Sequence, residues 1–119
     1  MNISIRGREV VVDGKALPME YAVREAFVLA GSVIVLLDPD AYMQDPAYPK
    51  ERRRGVNPLR NLRAYAPSGE LLWEAEFPEP ADYYYKVVER RPLTVLSFSS
   101  FLCQIDPATG RIAGQEPLK

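Results

Sequence analysis

The chain has 119 residues, of which 47% are hydrophobic and 26% are charged, so it is long enough for one globular domain with a core of its own. Its 15 basic and 16 acidic side chains give a net charge of −1, which provides no overall attraction to nucleic acid or to an anionic membrane. The sequence contains no histidine, which excludes histidine-based catalytic triads, histidine metal sites and imidazole pH switches.

Residues 1–19 are predicted to form an N-terminal β-hairpin. Apolar β-formers occur at residues 3, 5 and 10–12, and Asp13-Gly14 follows them directly. Lys15-Ala-Leu-Pro-Met comes after this pair, and an Asp-Gly pair between β-formers favours a type I′ turn, because both central residues of that turn need a positive φ.

Residues 21–37 return in a similar form as residues 83–98, and each copy leads to a strand–turn–strand unit. Taken alone, residues 19–30 have apolar residues at helical spacing, which favours a helix. The second copy begins instead with Tyr83-Tyr84-Tyr85 and continues with β-branched residues, a composition typical of a strand. If the copies share one structure, residues 22–28 form a strand. A helix over residues 19–30, and hence an α+β fold, is the alternative.

A long loop over residues 39–58 follows an apolar strand at 33–37. Loops longer than about 15 residues in a compact domain are usually functional or mobile. This loop carries Tyr42, Tyr48 and the basic run Lys50-Glu51-Arg52-Arg53-Arg54. Because guanidinium groups bind carboxylates in a bidentate fork, we predict that the arginines dock an acidic partner surface, the alternative being a solvated loop tip.

Three aspartates around the start of this loop, Asp38, Asp40 and Asp45, invite comparison with a calcium-binding loop. In such a loop Tyr42 would take the fifth position and Pro49 the twelfth, where a bidentate glutamate is required. The pattern therefore favours turn chemistry, and we predict no metal ligands.

Strands are predicted to resume at 61–66 and 70–76, and again at 83–89, 93–98, 101–106 and 111–114. Residues 62–73, Leu-Arg-Ala-Tyr-Ala-Pro-Ser-Gly-Glu-Leu-Leu-Trp, resemble the blade signature of quinoprotein-type β-propellers. Residues 105–112, Ile-Asp-Pro-Ala-Thr-Gly-Arg-Ile, resemble the same signature in the second copy. The resemblance implies four-stranded blades whose Asp/Gly turn joins the last two strands, with Trp73 packed between neighbouring blades. It implies an architecture rather than an activity, because one fold serves many functions.

The predicted fold is all-β: two blade-like antiparallel four-stranded sheets with the N-terminal hairpin, as a partial propeller or a sandwich-like body. We interpret residues 1–119 as one domain, with the first unit at 20–77 and the second at 82–115. A closed propeller needs about four to eight blades, so two sheets leave faces and edges uncovered. We therefore expect a protein partner or a homo-oligomer.

The leading functional hypothesis is a non-catalytic protein-binding module, such as an immunity-type inhibitor or an assembly component, because no catalytic or cofactor constellation is visible. Tyr83-Tyr84-Tyr85 alternate in direction, so Tyr84 is expected to present aromatic surface of the kind enriched in interfaces. The predicted partner-binding residues are Tyr42, Tyr48, Arg52, Arg53, Arg54 and Tyr84. The alternatives are a small-molecule or saccharide binder with aromatics in a groove between the sheets, and a hydrolase using a carboxylate pair.

The single cysteine, Cys103, rules out an internal disulfide, which fits a reducing compartment. The first residues lack the charged and apolar regions of a secretory signal, and the longest apolar stretch, 26–37, is too short to span a bilayer. We expect a cytoplasmic protein of bacterial type, with neither a membrane nor a nucleic-acid partner.

Overall fold

The computed structural model describes residues 1–44, 60–80 and 82–118. Within these ranges the chain forms eleven β-strands and one short helix, so the all-β class predicted from the sequence is confirmed. The strands are β1 Ile3–Arg6, β2 Glu9–Val12, β3 Lys15–Pro18, β4 Val23–Leu29, β5 Ser32–Leu37, β6 Leu62–Tyr65, β7 Leu71–Glu74, β8 Tyr84–Arg90, β9 Leu93–Ser97, β10 Phe101–Ile105 and β11 Ile112–Pro117, and the helix α1 is Pro39–Met43.

The strands form three antiparallel sheets in which each strand pairs with its neighbour in sequence. We call them the N-terminal sheet (β1–β3), the central sheet (β4–β7) and the C-terminal sheet (β8–β11). The two four-stranded sheets confirm the sheet count and strand order expected from the two sequence copies. The predicted hairpin is present, because Lys15–Pro18 pairs with β2 across the Asp13-Gly14 turn, and Ile3–Arg6 adds a third strand on the other side of β2.

Residues 19–30 contain a strand and no helix. β4 pairs with β5 through a tight turn at Ala30-Gly31, where both residues have positive φ, 50° and 78°. The helical spacing of apolar residues was misleading because the strand has one face on each of two cores, so apolar residues occur on both sides. The alternative of a helix over 19–30 is therefore wrong.

The central sheet is the middle layer of the molecule. Along β5, Ile34 and Leu36 pack into the core shared with the C-terminal sheet, whereas Val33, Val35 and Leu37 pack into the core shared with the N-terminal sheet. All five side chains are at most 1% exposed. The alternation explains why the sequence of β5 is a continuous apolar run.

The predicted long loop begins with the short helix α1, which follows β5 directly. The Asp38 carboxylate accepts a hydrogen bond from the Asp40 amide, an Asx-type contact at the start of the helix. Residues 45–59 lie outside the described residues.

Candidate interaction surface

A buried side-chain amide joins the central sheet to the C-terminal sheet. Asn61, which precedes β6 and is fully buried, donates to the carbonyls of Leu37 at 3.1 Å and Tyr84 at 2.6 Å. Its own amide oxygen accepts from the Tyr84 backbone amide at 3.1 Å. The side chain therefore pairs with Tyr84 as a neighbouring strand would, and it fixes the start of β8 against the end of β5.

Trp73 makes a second contact between the central sheet and the C-terminal sheet. Its indole Nε1 donates to the carbonyl of Pro107 at 2.9 Å, and its ring lies against Gly110 in the turn before β11. The backbone continues this contact, since the Glu76 amide donates to the Gly110 carbonyl at 2.9 Å. The Asp106–Gly110 turn is thus docked on β7 by an aromatic ring and by hydrogen bonds.

A buried carboxylate holds the connection between β9 and β10. Asp82 accepts hydrogen bonds from the backbone amides of Tyr83 and Ser99 and from the Ser99 hydroxyl. Ser97 adds a contact, because its hydroxyl accepts from the Phe101 amide at 3.1 Å. These contacts hold the segment that precedes β8 against the connection between β9 and β10.

The side of the C-terminal sheet that faces away from the central sheet carries two cross-strand rows of side chains. Along β9 and β10, Leu96 and Leu102 alternate with the core residues Val95 and Cys103, so they point away from the core. Partners in adjacent strands share a face. We define the outer face by these rows: row one is Lys86, Leu96, Leu102 and Glu116, and row two is Glu89, Thr94, Gln104 and Gly114.

The outer face is a mixed surface with an apolar centre and charged ends. Leu96 and Leu102 are half-buried, and neither belongs to either hydrophobic core. Lys86 and Glu116, at opposite ends of row one, are exposed, and neither forms an ion pair with another described residue. A shallow depression of about 250 Å³ lies over β11, lined by Thr94, Leu102, Gln104, Gly114, Gln115 and Glu116.

The opposite side of the molecule is closed by the N-terminal sheet. Arg63 of β6, only 8% exposed, donates to both carboxylate oxygens of Glu20 at 2.7 Å. The guanidinium holds the pKa of Glu20 below its usual range, and the carboxylate raises the pKa of Arg63. The bidentate pair secures the N-terminal layer over the central sheet.

Of the predicted partner-binding residues, the structure describes the side chain of Tyr84 alone. Tyr84 is fully buried, and its hydroxyl donates to the Glu76 carbonyl at 2.6 Å, so the expectation that its ring is presented to a partner is not met. The reason is a register irregularity between Tyr84 and Lys86, which changes the simple alternation of β8. Tyr42 lies in α1 but its side chain is outside the described set, as are Tyr48, Arg52, Arg53 and Arg54.

Asp38 and Asp40 both form ion pairs with Arg24. Arg24 donates to Asp38 at 2.9 Å and to Asp40 at 3.2 Å, and it also donates to the Tyr85 carbonyl of the C-terminal sheet. Asp45 lies outside the described residues. Within the described ranges, no three His, Cys, Asp or Glu side chains are grouped as metal ligands.

Sequence reasoning missed Asn61 and the outer face. A single asparagine before a strand has no distinctive sequence pattern. The two rows of the outer face depend on cross-strand register, and register shifts occur in two of the three strand pairings of the C-terminal sheet, between β8 and β9 and between β10 and β11. The alternation of β9 and β10 is the one signal from which Leu96 and Leu102 could have been found.

Residues 1–116 match the family described as Domain of unknown function DUF7957. The chain belongs to this family. No curated protein matches its sequence. The crystal structure of the computationally designed Ika8 protein is similar in fold, with a TM-score of 0.52 and 11% sequence identity. The match covers 96% of this chain and 35% of the designed one, so the DUF7957 chain spans about a third of that protein's length.

The one helix in the described part of this DUF7957 chain, α1, has five residues, and it is not long and apolar enough to cross a membrane.

Proposed function

We propose that the domain is a non-catalytic protein-binding module and that its docking surface is the outer face of the C-terminal sheet. The observation that carries the proposal is an asymmetry between the sheets. The central sheet is covered on both faces, whereas none of the described elements contributes a core on the outer face. The apolar face of the C-terminal sheet packs on the central sheet, so the support from the outer face is its two half-buried leucines, Leu96 and Leu102, which a partner would cover.

The composition of the outer face supports this proposal. Leu96 and Leu102 form a small apolar centre between charged residues at the two edge strands. An apolar centre with a polar rim is the usual anatomy of a protein interface. Within the described sheet, β11 and the part of β8 beyond Tyr85 pair on one side, which leaves backbone groups beside the face for a partner.

The outer face is also held in one orientation. Asn61, Trp73 and Asp82 each fix a different part of the C-terminal sheet through buried or partly buried hydrogen bonds. A surface that is ordered before binding loses little conformational entropy when a partner docks. The rigidity therefore supports recognition by shape.

A ligand groove between the two four-stranded sheets has less support. Phe77 and Tyr84 meet edge to face there, with ring centroids 5.3 Å apart, and both are buried. Aromatic side chains that fill a core offer no surface to a saccharide. We therefore favour protein binding over the small-molecule alternative.

The blade-like relationship predicted from residues 62–73 and 105–112 remains part of the proposal. It is supported by the contact of Trp73 with the Asp106–Gly110 turn of the following sheet, the position that the resemblance implies. The match to DUF7957 names no such relationship.

Photo-crosslinking tests the proposed surface directly. A photoreactive amino acid replaces Gln104, which is exposed at the centre of row two, and in a matched control it replaces Leu72, which is exposed on β7. We expect a discrete protein adduct in the source cell from position 104 and a weaker one or none from position 72. Equal labelling from both positions, or no adduct from position 104, would refute the proposal.

A further inference from the structure

We infer that the outer face binds a second copy of this chain, forming a dimer whose twofold axis runs parallel to the strands between β9 and β10. This inference rests on the proposed function, because it names the occupant of the proposed surface. It is carried by the order of residues in row one, which reads Lys86, Leu96, Leu102, Glu116 from β8 to β11. If a second copy of this row is laid against it in reverse order, the lysine meets the glutamate and each leucine meets a leucine.

The twofold rotation performs this reversal. Turning a sheet by 180° about an axis parallel to its strands, placed midway between the two faces, reverses the order of strands but keeps each row opposite itself. Lys86 then lies opposite Glu116 of the second copy, and Leu96 lies opposite Leu102 of the second copy. Each dimer gains two such charge pairs around four leucines. A twofold interface requires this kind of self-complementary patch.

Row two fits the same arrangement by shape. Glu89 lies opposite Gly114 of the second copy, where the depression of about 250 Å³ provides room for its side chain. Thr94 lies opposite Gln104 of the second copy, so a hydroxyl meets an amide. Packing within the chain does not require a glycine at 114, since an added Cβ would meet only the Gln104 Oε1 at 3.7 Å.

The other in-plane twofold axis, perpendicular to the strands, is less favourable. It would place row one opposite row two, so that Lys86 meets Glu89, Leu96 meets Thr94 and Leu102 meets Gln104 of the second copy. The apolar side chains would then face polar ones, and Glu116 would face a glycine. The axis parallel to the strands is therefore the one that the residue order selects.

The dimer is expected to be weak. Four strands at about 4.8 Å spacing give a face only about 14 Å across between the outer strands, and the two rows are about 7 Å apart. Such a contact falls below the roughly 1,200–2,000 Å² of total buried surface typical of stable complexes. Self-association should therefore be measured at chain concentrations of about 10 μM to 1 mM.

Charge-swap variants test the geometry by analytical ultracentrifugation of the purified chain. Lys86→Glu and Glu116→Lys should each weaken self-association at least about tenfold, because each places like charges opposite each other twice per dimer. An equimolar mixture of the two variants should associate again, since opposite charges then meet in the mixed dimer. The double variant, Lys86→Glu with Glu116→Lys, should regain self-association for the same reason.

Matched controls carry the same charge changes elsewhere. Lys15→Glu in β3 and Glu70→Lys before β7 are exposed and lie outside the outer face, and they should leave self-association unchanged. Circular dichroism of every variant establishes that it is folded.

A wild-type chain that stays monomeric to 1 mM, a single swap without effect, or a mixture that does not associate would each overturn the inference. These results would leave the protein-binding proposal standing if position 104 still captures a different protein in the cell. If position 104 captures nothing, both fail.

Discussion

Replacing Gly110 with alanine should strongly destabilise the contact between the two four-stranded sheets. Gly110 has a φ of +76°, and a Cβ added there would lie 2.6 Å from Cε3 and 2.7 Å from Cδ2 of Trp73. Both distances are too short for carbon atoms, so the ring or the turn must move.

The expected magnitude follows from three effects. A left-handed backbone costs a non-glycine residue about 1–2 kcal/mol. Overpacking against a fixed ring costs about 1–3 kcal/mol. Moving the indole weakens its hydrogen bond to the Pro107 carbonyl, which is worth about 1 kcal/mol. We expect Gly110→Ala to lower the free energy of unfolding by about 3–6 kcal/mol, a large fraction of the roughly 5–15 kcal/mol of a typical domain.

Two other glycines separate the contributions. Gly14 has a φ of +85° with nothing within 4 Å of an added Cβ, so Gly14→Ala measures the backbone cost alone, about 1–2 kcal/mol. Gly114 has an ordinary contact at 3.7 Å and no unusual φ, so Gly114→Ala should change stability by less than about 1 kcal/mol.

The assay is urea unfolding followed by far-UV circular dichroism, with tryptophan fluorescence as a local probe. Trp73 is the only tryptophan, so its emission reports on this contact specifically. We expect a shifted emission for the folded Gly110→Ala variant and an unchanged one for Gly14→Ala. If Gly110→Ala is no less stable than Gly14→Ala, the proposed packing of the ring on the turn is incorrect.

Three further predictions concern buried groups. Asn61→Leu removes both donors to the Leu37 and Tyr84 carbonyls and the acceptor of the Tyr84 amide. It should lower the free energy of unfolding, measured by thermal unfolding, by about 3 kcal/mol or more. A decrease of less than about 1 kcal/mol would contradict the bridging role. The pKa of Glu20 is lowered by Arg63, so this pair stabilises the fold above the usual glutamate pKa of 4.5 and loses its effect as pH falls through the lower native value. Glu20→Gln should therefore flatten the acid limb of the stability–pH curve, and an unchanged slope would argue against the pair. Burial raises the pKa of the Cys103 thiol, so a thiol reagent at neutral pH should label it slowly in the native chain and fast in denaturant; rapid native labelling would contradict its burial.

Much of the strand order could be predicted from turn chemistry. Asp13-Gly14, Ser68-Gly69 and Thr109-Gly110 mark three of the turns, and the glycines there have positive φ. The turn at Gly7-Arg8, which adds β1 to the N-terminal sheet, lacks such a dipeptide, so the sequence predicted two strands here where the structure has three.

β4 shows how the repeat corrected local propensity. The apolar residues of 19–30 fit a helix as well as a strand, and only the comparison with 83–98 favoured the strand. Propensity failed here because packing on two cores, which sequence alone does not reveal, decides the structure.

The candidate site was harder to predict than the fold. Tyr84 is an aromatic residue in a strand, and whether such a ring faces solvent or the core depends on register. The irregularities of β8 set that register through the partner strand and not through the local sequence. Asn61 similarly acquires its role from two strand ends that are distant in the chain.

Methyl NMR of the outer face tests the central claim most directly. Leucine-labelled chain is recorded dilute and again after addition of excess unlabelled chain. We predict that the methyl signals of Leu96 and Leu102 shift with concentration, while those of Leu71 and Leu72, exposed leucines of β7, stay in place. Unmoved signals at Leu96 and Leu102, or shifts confined to β7, would contradict it.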